Sequence, residues 1–153
     1  MEIVISIQGL ESLNAKLTDP DLIGIPARKM FTDLTHTLQN NVQELTPVDT
    51  GNLRRSITTS VDPSPIPLWG MVGTNVEYAE PVETGSRPHW TSWTNLNEWA
   101  YRHNANVWAV TAAIARRGTR AHNMFSNSAI YIQSVLPDYV ARMAADIEEF
   151  FNQ

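Results

Sequence analysis

An apolar stripe at helical spacing is the feature that most constrains the fold of this chain. Its members recur every three or four residues and so cover one face of an α-helix, namely Met30, Phe31, Leu34, Leu38, Val42 and Leu45. Pro26 suits the first turn of this helix because its missing N–H has no partner there. Pro47 disfavours helical geometry at Thr46, so we predict a helix over about 26–45. The opposite face carries polar residues, namely Thr32, Thr35, His36, Gln39, Asn40 and Gln43.

Short β-branched segments predict a small sheet. Residues 2–7, EIVISI, alternate at the period of two that a strand requires. Residues 53–61 and 68–74 predict a hairpin, and they are joined by DPSPIP, whose prolines lack the N–H groups that a strand ladder needs. The next stretch, 75–90, has no clean period and predicts a turn-rich crossover.

Helical patterns also lie near the start, in the middle and at the end of the chain. A short helical spacing ends at Leu17, a middle helix is expected to start at Asn95, and another is expected from Val107 to about Arg117, closed by Gly118. The face of the first middle helix is Leu96, Trp99, Ala100 and His103. The last stripe is Ala129, Ile132, Leu136, Val140, Met143, Ile147 and Phe150. Pro137 interrupts it and predicts a kink or a restart.

The mixed order of these elements predicts an α+β fold: a small antiparallel sheet packed by a long helix of the N-terminal half and by a C-terminal helix. No long linker divides residues 1–153, so we expect a single domain, with a helical insertion at about 90–117. Two similar pentapeptides, GSRPH at 85–89 and GTRAH at 118–122, bracket the two middle helices like the endpoints of an insertion.

Composition narrows the class of protein. A chain of 153 residues with 42% hydrophobic residues is long and apolar enough for one globular core. Its formal charge is -5, which disfavours a role in coating a nucleic-acid duplex. The basic pairs Arg54-Arg55 and Arg116-Arg117 are expected to be solvated, and residues 137–153 form an acidic surface. We expect neither a membrane span nor a signal peptide, and folding in a cytoplasm.

The tripeptide Asp49-Thr50-Gly51 has the sequence that carries the catalytic aspartate of aspartic proteases. That chemistry needs two aspartates that share a proton, so with one copy only a homodimer would serve. The other interpretation is a turn in which Gly51 has a positive φ and the Asp49 carboxylate accepts nearby backbone N–H groups. We favour the turn, because a helix end precedes the tripeptide and a polar segment follows it, and we keep the protease as an alternative.

Histidines and tryptophans are the other candidate binding residues. The four histidines lack the spacing of a metal site, although His89 and His122 lie in the repeated pentapeptides, where Arg87 and Arg120 would suit an anion. The chain has five tryptophans, four of them between residues 90 and 108, and we expect them in the core or at a protein interface rather than stacked on bases. A nucleic-acid-binding module is the second alternative. We expect no cofactor and no metal.

Three segments follow one another in a recognisable order: TPVDTGNLRRSI (46–57), VGTNVEYAEPVETGS (72–86) and RRGTRAHNMF (116–125). In this order they resemble the tailed-bacteriophage neck and tail-completion family, the head–tail joining proteins to which minor tail protein Z is related. The opening IVISIQGLESL is similar too. The candidate structural and interface residues are Pro47, Asp49, Thr50, Gly51, Leu53, Arg54, Ser56, Gly73, Tyr78, Ala79, Glu83, Gly85, Gly118 and Phe125.

The resemblance implies a structural virion protein, assembled in the host cytoplasm, with no catalytic turnover. It implies a homo-oligomeric ring, expected to be hexameric, that contacts head-completion and tail-terminator or tail-tube proteins. Genomic DNA would pass through the lumen without sequence-specific binding. A ring needs a heterologous interface, and we expect the hairpin 53–74 or the tryptophan-rich segment to supply one patch. The acidic balance permits a channel wall that repels phosphate, with Glu148 and Glu149 as candidates.

Overall fold

The computed structural model describes residues 18–67 and 69–152, so the expected strand at 2–7 and the helical spacing that ends at Leu17 lie outside the described residues. The described elements are α1 (Asp21–Leu45), α2 (Asn52–Ser56), β1 (Thr58–Val61), β2 (Gly70–Gly73), α3 (Ala79–Thr84), α4 (Trp93–Arg102), α5 (Val107–Arg117) and α6 (Met124–Asn152). Helices pack around a two-stranded antiparallel sheet among these residues, which confirms the predicted α+β class.

The two longest described helices, α1 and α6, pack side by side in antiparallel directions. Three contacts set this direction: Lys29 with Asp146 (2.8 Å), Thr37 with Tyr139 (2.6 Å) and Thr46 with Met124 (3.3 Å). The α6 helix continues through Pro137, so the predicted restart is wrong. Contacts with α1 on both sides of the proline hold the helix together. The carbonyl of Gln133 loses its helical partner at an exposed position, where water can replace it.

The α1 helix begins at Asp21 rather than near Pro26, which lies buried inside the helix. The Asp19 carboxylate accepts a hydrogen bond from the Asp21 backbone N–H at 2.9 Å, and this contact satisfies one of the free donors of the first turn. Leu22 and Gly24 are buried, so the extra turn packs against the rest of the chain. The sequence predicted the start of α1 too late, because proline is preferred at a first helical turn but is not confined to it. Burial of the residues before Pro26 overrides that preference.

The polar side of α1 is covered by the hairpin. Thr35 is only 4% exposed; its hydroxyl donates to the Phe31 carbonyl at 2.8 Å, which satisfies it inside the helix. Its methyl group faces Gly70 so closely that a Cβ there would lie 2.4 Å from it. Gln39 donates to the Ile57 carbonyl at 2.7 Å. The helix therefore packs on two sides, against α6 and against the hairpin, whereas a single apolar stripe predicts one.

The stripe itself is confirmed at Val42, which is fully buried, and at Leu38, which packs against the same core. It is wrong at Leu45, which is 40% exposed. The chain leaves the helix there, and the next residue, Thr46, takes the buried place beside Met124.

The hairpin is confirmed, although its first strand is shorter than predicted. Strands β1 and β2 pair in the register Thr58↔Gly73 to Val61↔Gly70. Residues 52–56 form the short helix α2 instead of a strand, because Leu53 and Ile57, four residues apart, both turn into the core. Leu68 lies outside the described residues.

The connection between the strands lies against α1. The Arg28 guanidinium donates to the carbonyls of Asp62 (3.3 Å), Pro63 (3.4 Å) and Ser64. A Cβ at Gly24 would lie 2.7 Å from the Pro65 carbonyl oxygen. The proline-rich loop is thus held by one arginine and a close backbone approach.

The central crossover contains a helix that the sequence pattern did not indicate. Helix α3 spans Ala79–Thr84, and buried Ala79 joins the core. Helix α4 begins three residues earlier than predicted, with Ser92 rather than Asn95 as its N-cap, and the Ser92 hydroxyl accepts from the Thr94 N–H. Helix α5 has the predicted bounds, ends at Gly118 and is capped by Asn106.

The two repeated pentapeptides pair with each other at the base of the α4–α5 hairpin (residues 93–117). Ser86 and Thr119 form an antiparallel bridge, with reciprocal backbone hydrogen bonds of 3.2 Å. Gly85 and Gly118 flank the bridge with φ of 74° and 73° and nearly extended ψ, a region essentially restricted to glycine. A Cβ at Gly118 would overlap the Ser86 carbonyl oxygen, 1.8 Å away. The glycines therefore permit the crossing that closes this hairpin.

We expect Gly118→Ala to destabilise the protein by about 1–3 kcal/mol from backbone strain alone, with a further loss from the overlap with Ser86. The measurement is the free energy of unfolding in urea. Gly73→Ala is the matched control, because a Cβ at Gly73 meets nothing within 4 Å. Equal stability of the two variants would contradict this account of the crossing.

Candidate functional site

Residues 46–51 form the turn between α1 and α2, and arginines donate hydrogen bonds to two of its carbonyl groups. Gly51 has φ 78°, the positive value that the turn interpretation predicted. Arg54 donates to the Thr46 carbonyl at 3.1 Å, and Arg55 donates to the Thr50 carbonyl at 3.2 Å. Both arginines are exposed, as expected, and each also donates a hydrogen bond to a backbone oxygen.

The Asp49 carboxylate is held by side chains of α4 rather than by nearby backbone N–H groups, which corrects that part of the prediction. Arg102 donates from Nε to Oδ1 at 2.8 Å and from Nη2 to Oδ2 at 2.5 Å. His103 Nε2 lies 3.2 Å from Oδ1. Trp99 stacks on His103, with ring centroids 4.5 Å apart. This two-bonded guanidinium–carboxylate pair ties the Asp49 turn to the end of α4.

The charge of Asp49 is favoured by this arrangement. The hydrogen bond from Arg102 is the main cause that lowers the pKa of Asp49 below its ordinary value, with partial burial opposing it and His103 adding to it. The carboxylate is therefore anionic at neutral pH.

Further motif residues fix the ends of neighbouring elements. Ser56 and Thr74 share a hydroxyl–hydroxyl hydrogen bond of 2.6 Å across the end of the hairpin. Tyr78 accepts a hydrogen bond from the Asn52 side chain at 3.1 Å.

Leu53 and Ala79 are buried in the core cluster with Val42, Ile57 and Met124. Gly73 lies at the end of β2, and nothing in the described residues requires glycine there.

The Glu83 carboxylate caps the N-terminus of α6. Its oxygens accept hydrogen bonds from the backbone N–H groups of Phe125 and Ser126, both at 2.9 Å, and from the Ser126 hydroxyl at 2.6 Å. Burial alone would raise the pKa of Glu83, but these hydrogen bonds outweigh it and lower the pKa. Phe125 also packs against the core. Glu83 therefore sets the start of the longest described helix from a segment about 40 residues earlier.

An open groove of about 540 Å³ lies between the Asp49 turn, α3, the end of α4 and the returning pentapeptide. Its walls combine apolar and aromatic side chains, among them Pro47, Val48, Tyr78 and Trp99, with the polar groups Asp49, Arg120 and His122. The groove thus brings together residues from all three resemblance segments.

The tryptophans were predicted in the core or at a protein interface, and none of those described is buried in the core. Trp90 is 80% exposed and Trp108 is 63% exposed, and Trp93 contacts Trp108 with centroids 5.7 Å apart. Tyr101, on α4, is 89% exposed. Among the described residues, the α4–α5 hairpin and the segment just before it therefore carry several exposed aromatic side chains.

The histidines serve local contacts where the structure shows them. His89 Nδ1 lies 2.9 Å from the Arg87 carbonyl, and His103 belongs to the Asp49 pair. No group of three or more His, Cys, Asp or Glu side chains within the described residues is arranged to hold a metal ion. The helices of the described ranges include none that is both long and apolar enough to cross a membrane.

Comparison of the chain with family models, with curated proteins and with solved structures finds no match.

Sequence reasoning missed Arg102 as a partner of Asp49, which lies 53 residues away. The sequence contained one indication of this site: Trp99 and His103 lie on the same predicted face of α4, and in the structure their rings stack. The pairing of that face with the turn depends on how the α4–α5 hairpin folds back.

We expect Glu83→Ala to lower the free energy of unfolding by about 0.5–2 kcal/mol, the usual cost of losing a helix cap. Glu80→Ala is the control, because Glu80 is an exposed residue of the same short helix. Thermal unfolding followed by circular dichroism compares the two. A loss no larger in Glu83→Ala than in Glu80→Ala would contradict the capping role.

The Asp49 pair predicts a pH dependence. Because the pKa of Asp49 is lower in the folded chain than its ordinary 3.8, its contribution to stability is present above that value and is lost as pH falls through the folded pKa. Wild type should therefore lose more stability on acidification below about pH 4 than Asp49→Asn does. Asp138→Asn, the same change at an exposed site of α6, should behave as wild type. An equal loss of stability in wild type and Asp49→Asn as the pH is lowered would contradict the stabilising ion pair between Asp49 and Arg102.

Proposed function

We propose that this chain is a structural subunit of the neck or tail-completion ring that joins the tail of a tailed bacteriophage to its DNA-filled head. The ring is a homo-oligomer with head-completion and tail-terminator or tail-tube proteins as neighbours. DNA passes through it without sequence-specific contacts, and the subunit has no catalytic turnover.

One observation carries this proposal: the residues that give the resemblance hold turns, helix ends and backbone crossings in place. Asp49 is paired with Arg102, Glu83 caps α6, Ser56 bonds Thr74, and Gly85 and Gly118 permit a backbone crossing. Residues with these roles support a rigid shape that other subunits can bind.

The exposed aromatic residues in and just before the α4–α5 hairpin give additional support. Tryptophan and tyrosine are enriched at protein interfaces, where a large apolar ring gains most from burial. Trp90, Tyr101 and Trp108 are largely exposed in the isolated chain. Burial against neighbouring subunits would give these side chains a role in assembly.

The geometry at Asp49 weighs against the aspartic-protease alternative. That mechanism needs a proton shared between two carboxyl groups, whereas Arg102 stabilises the ionised form of Asp49. Asp49→Asn should therefore leave any peptide hydrolysis by the purified protein unchanged from background. Hydrolysis by wild type that disappears in Asp49→Asn would replace the present proposal.

Particles made without this chain are expected to appear in electron micrographs as DNA-filled heads beside unattached tails, because the joining ring would be incomplete. Supplying the wild-type chain to such an extract should restore joined particles. Joined, infectious particles in the absence of the chain would contradict the proposed function.

A further inference from the structure

Four exposed arginines lie at the base of the α4–α5 hairpin and form what we call the basic patch: Arg87, Arg116, Arg117 and Arg120. The Ser86–Thr119 bridge brings their segments together, and the backbone of Arg87 lies against Gly118. In the described part of the chain, the ion pairs of carboxylates involve Lys29, Arg102 and His103, so none of the four arginines is neutralised.

The groove beside this patch offers a surface of mixed chemistry. Arg120 and His122 line it together with the aromatic rings of Tyr78 and Trp99. Among the described residues of its wall the one carboxylate, Asp49, is already paired with Arg102 and opposes an incoming anion little. An acidic segment with an aromatic side chain therefore fits both the charge and the walls of this site.

The C-terminal end of α6 has that chemistry. Glu148 and Glu149 are exposed there, beside Phe150, and the last turn of the helix holds no basic residue. Lys29 lies close enough for the charge of Glu149 to help raise its pKa, but it is bonded to Asp146. The helix dipole places negative partial charge at the same end, so a further cation is favoured there. We call Glu148, Glu149 and Phe150 the acidic end.

The acidic end and the basic patch of one molecule are too far apart to meet. Arg120 of the patch lies shortly before Met124, where α6 begins, and an α-helix rises 1.5 Å per residue, which puts Glu148 roughly 36 Å from Met124. The contact between Lys29 and Asp146 holds the far part of α6 along α1. Opposite charges thus lie at opposite ends of the described fold.

We propose that the acidic end of one copy docks on the basic patch and groove of the next copy. Such a head-to-tail contact joins two different surfaces and can be repeated, which is the heterologous geometry that a ring requires. The proposal rests on the ring of the proposed function and names its surfaces. It assigns Glu148 and Glu149 to a subunit interface rather than to the channel wall.

A second copy fits this site better than a nucleic acid does. The chain carries a net charge of -5, so a duplex would be repelled by most of the molecule while being attracted by the patch. A second copy of the chain offers the acidic end, whose negative charge is stabilised by the arginines of the basic patch.

Charge reversal at each surface tests the contact. Wild type should self-associate in sedimentation velocity at low salt, and more weakly at high salt, because exposed ion pairs are screened. Glu148→Lys with Glu149→Lys, and separately Arg87→Glu with Arg120→Glu, should each weaken association about tenfold or more, since attraction of a few exposed pairs becomes repulsion. An equimolar mixture of the two variants should associate again, because each then offers the surface that the other lacks.

Glu44→Lys with Glu77→Lys makes the same charge change at exposed sites outside both surfaces and should leave association as in wild type. Association that survives reversal of the acidic end, a mixture that fails to associate, or a wild type that stays monomeric would each overturn the contact. So would binding of duplex DNA that Arg87→Glu with Arg120→Glu abolishes without any change in self-association. Head–tail joining in particles lacking the chain is scored separately, so the proposed function can hold when this contact fails.

Discussion

The cap that Glu83 places on α6 is the contact on which the rest of the fold depends. Its oxygens satisfy backbone N–H groups at the start of a 29-residue helix. The neighbouring carbonyls of Val82 and Glu83 accept from His122 and Asn123, so the chain that returns from the α4–α5 hairpin is fixed at the same place. Met124 then enters the core, and α6 leaves along α1. A shift of this cap would displace the core and the base of the hairpin together.

Close backbone approaches make this arrangement possible. Gly70 admits the Thr35 methyl group, so β2 lies directly on α1. Gly85 and Gly118 adopt backbone conformations that side chains disfavour, and the pentapeptides cross between them. The same crossing brings Arg87 close to the end of α5 and so concentrates positive charge in an acidic protein. The same few glycines therefore permit the close backbone packing and determine where positive charge is concentrated.

A subunit that acts by assembly, as we propose for this chain, has different requirements from an enzyme. Its polar residues can be used to hold helix ends and turns, as Asp49, Arg54 and Glu83 are, while aromatic and charged side chains stay on the surface. In the ring that we propose, those surface groups would be satisfied by neighbouring subunits. The free energy of the interface would then come from burial of aromatic rings, with charge setting its direction.

The sequence by itself determined the α+β class, the hairpin, the bounds of α5 and the positive φ of Gly51, because periodicity, prolines and glycines act over a few residues. It did not determine the burial of Thr35, the helix α2, or the partners of Asp49 and Glu83. The sequence pattern places Thr35 on the solvent-facing side of α1, and only the packing of the hairpin on that side buries it. Arg102 and Ser126 reach their carboxylates only after the chain has folded back over more than 40 residues. Tertiary structure decided these points, since a contact between distant segments depends on the packing of every element between them.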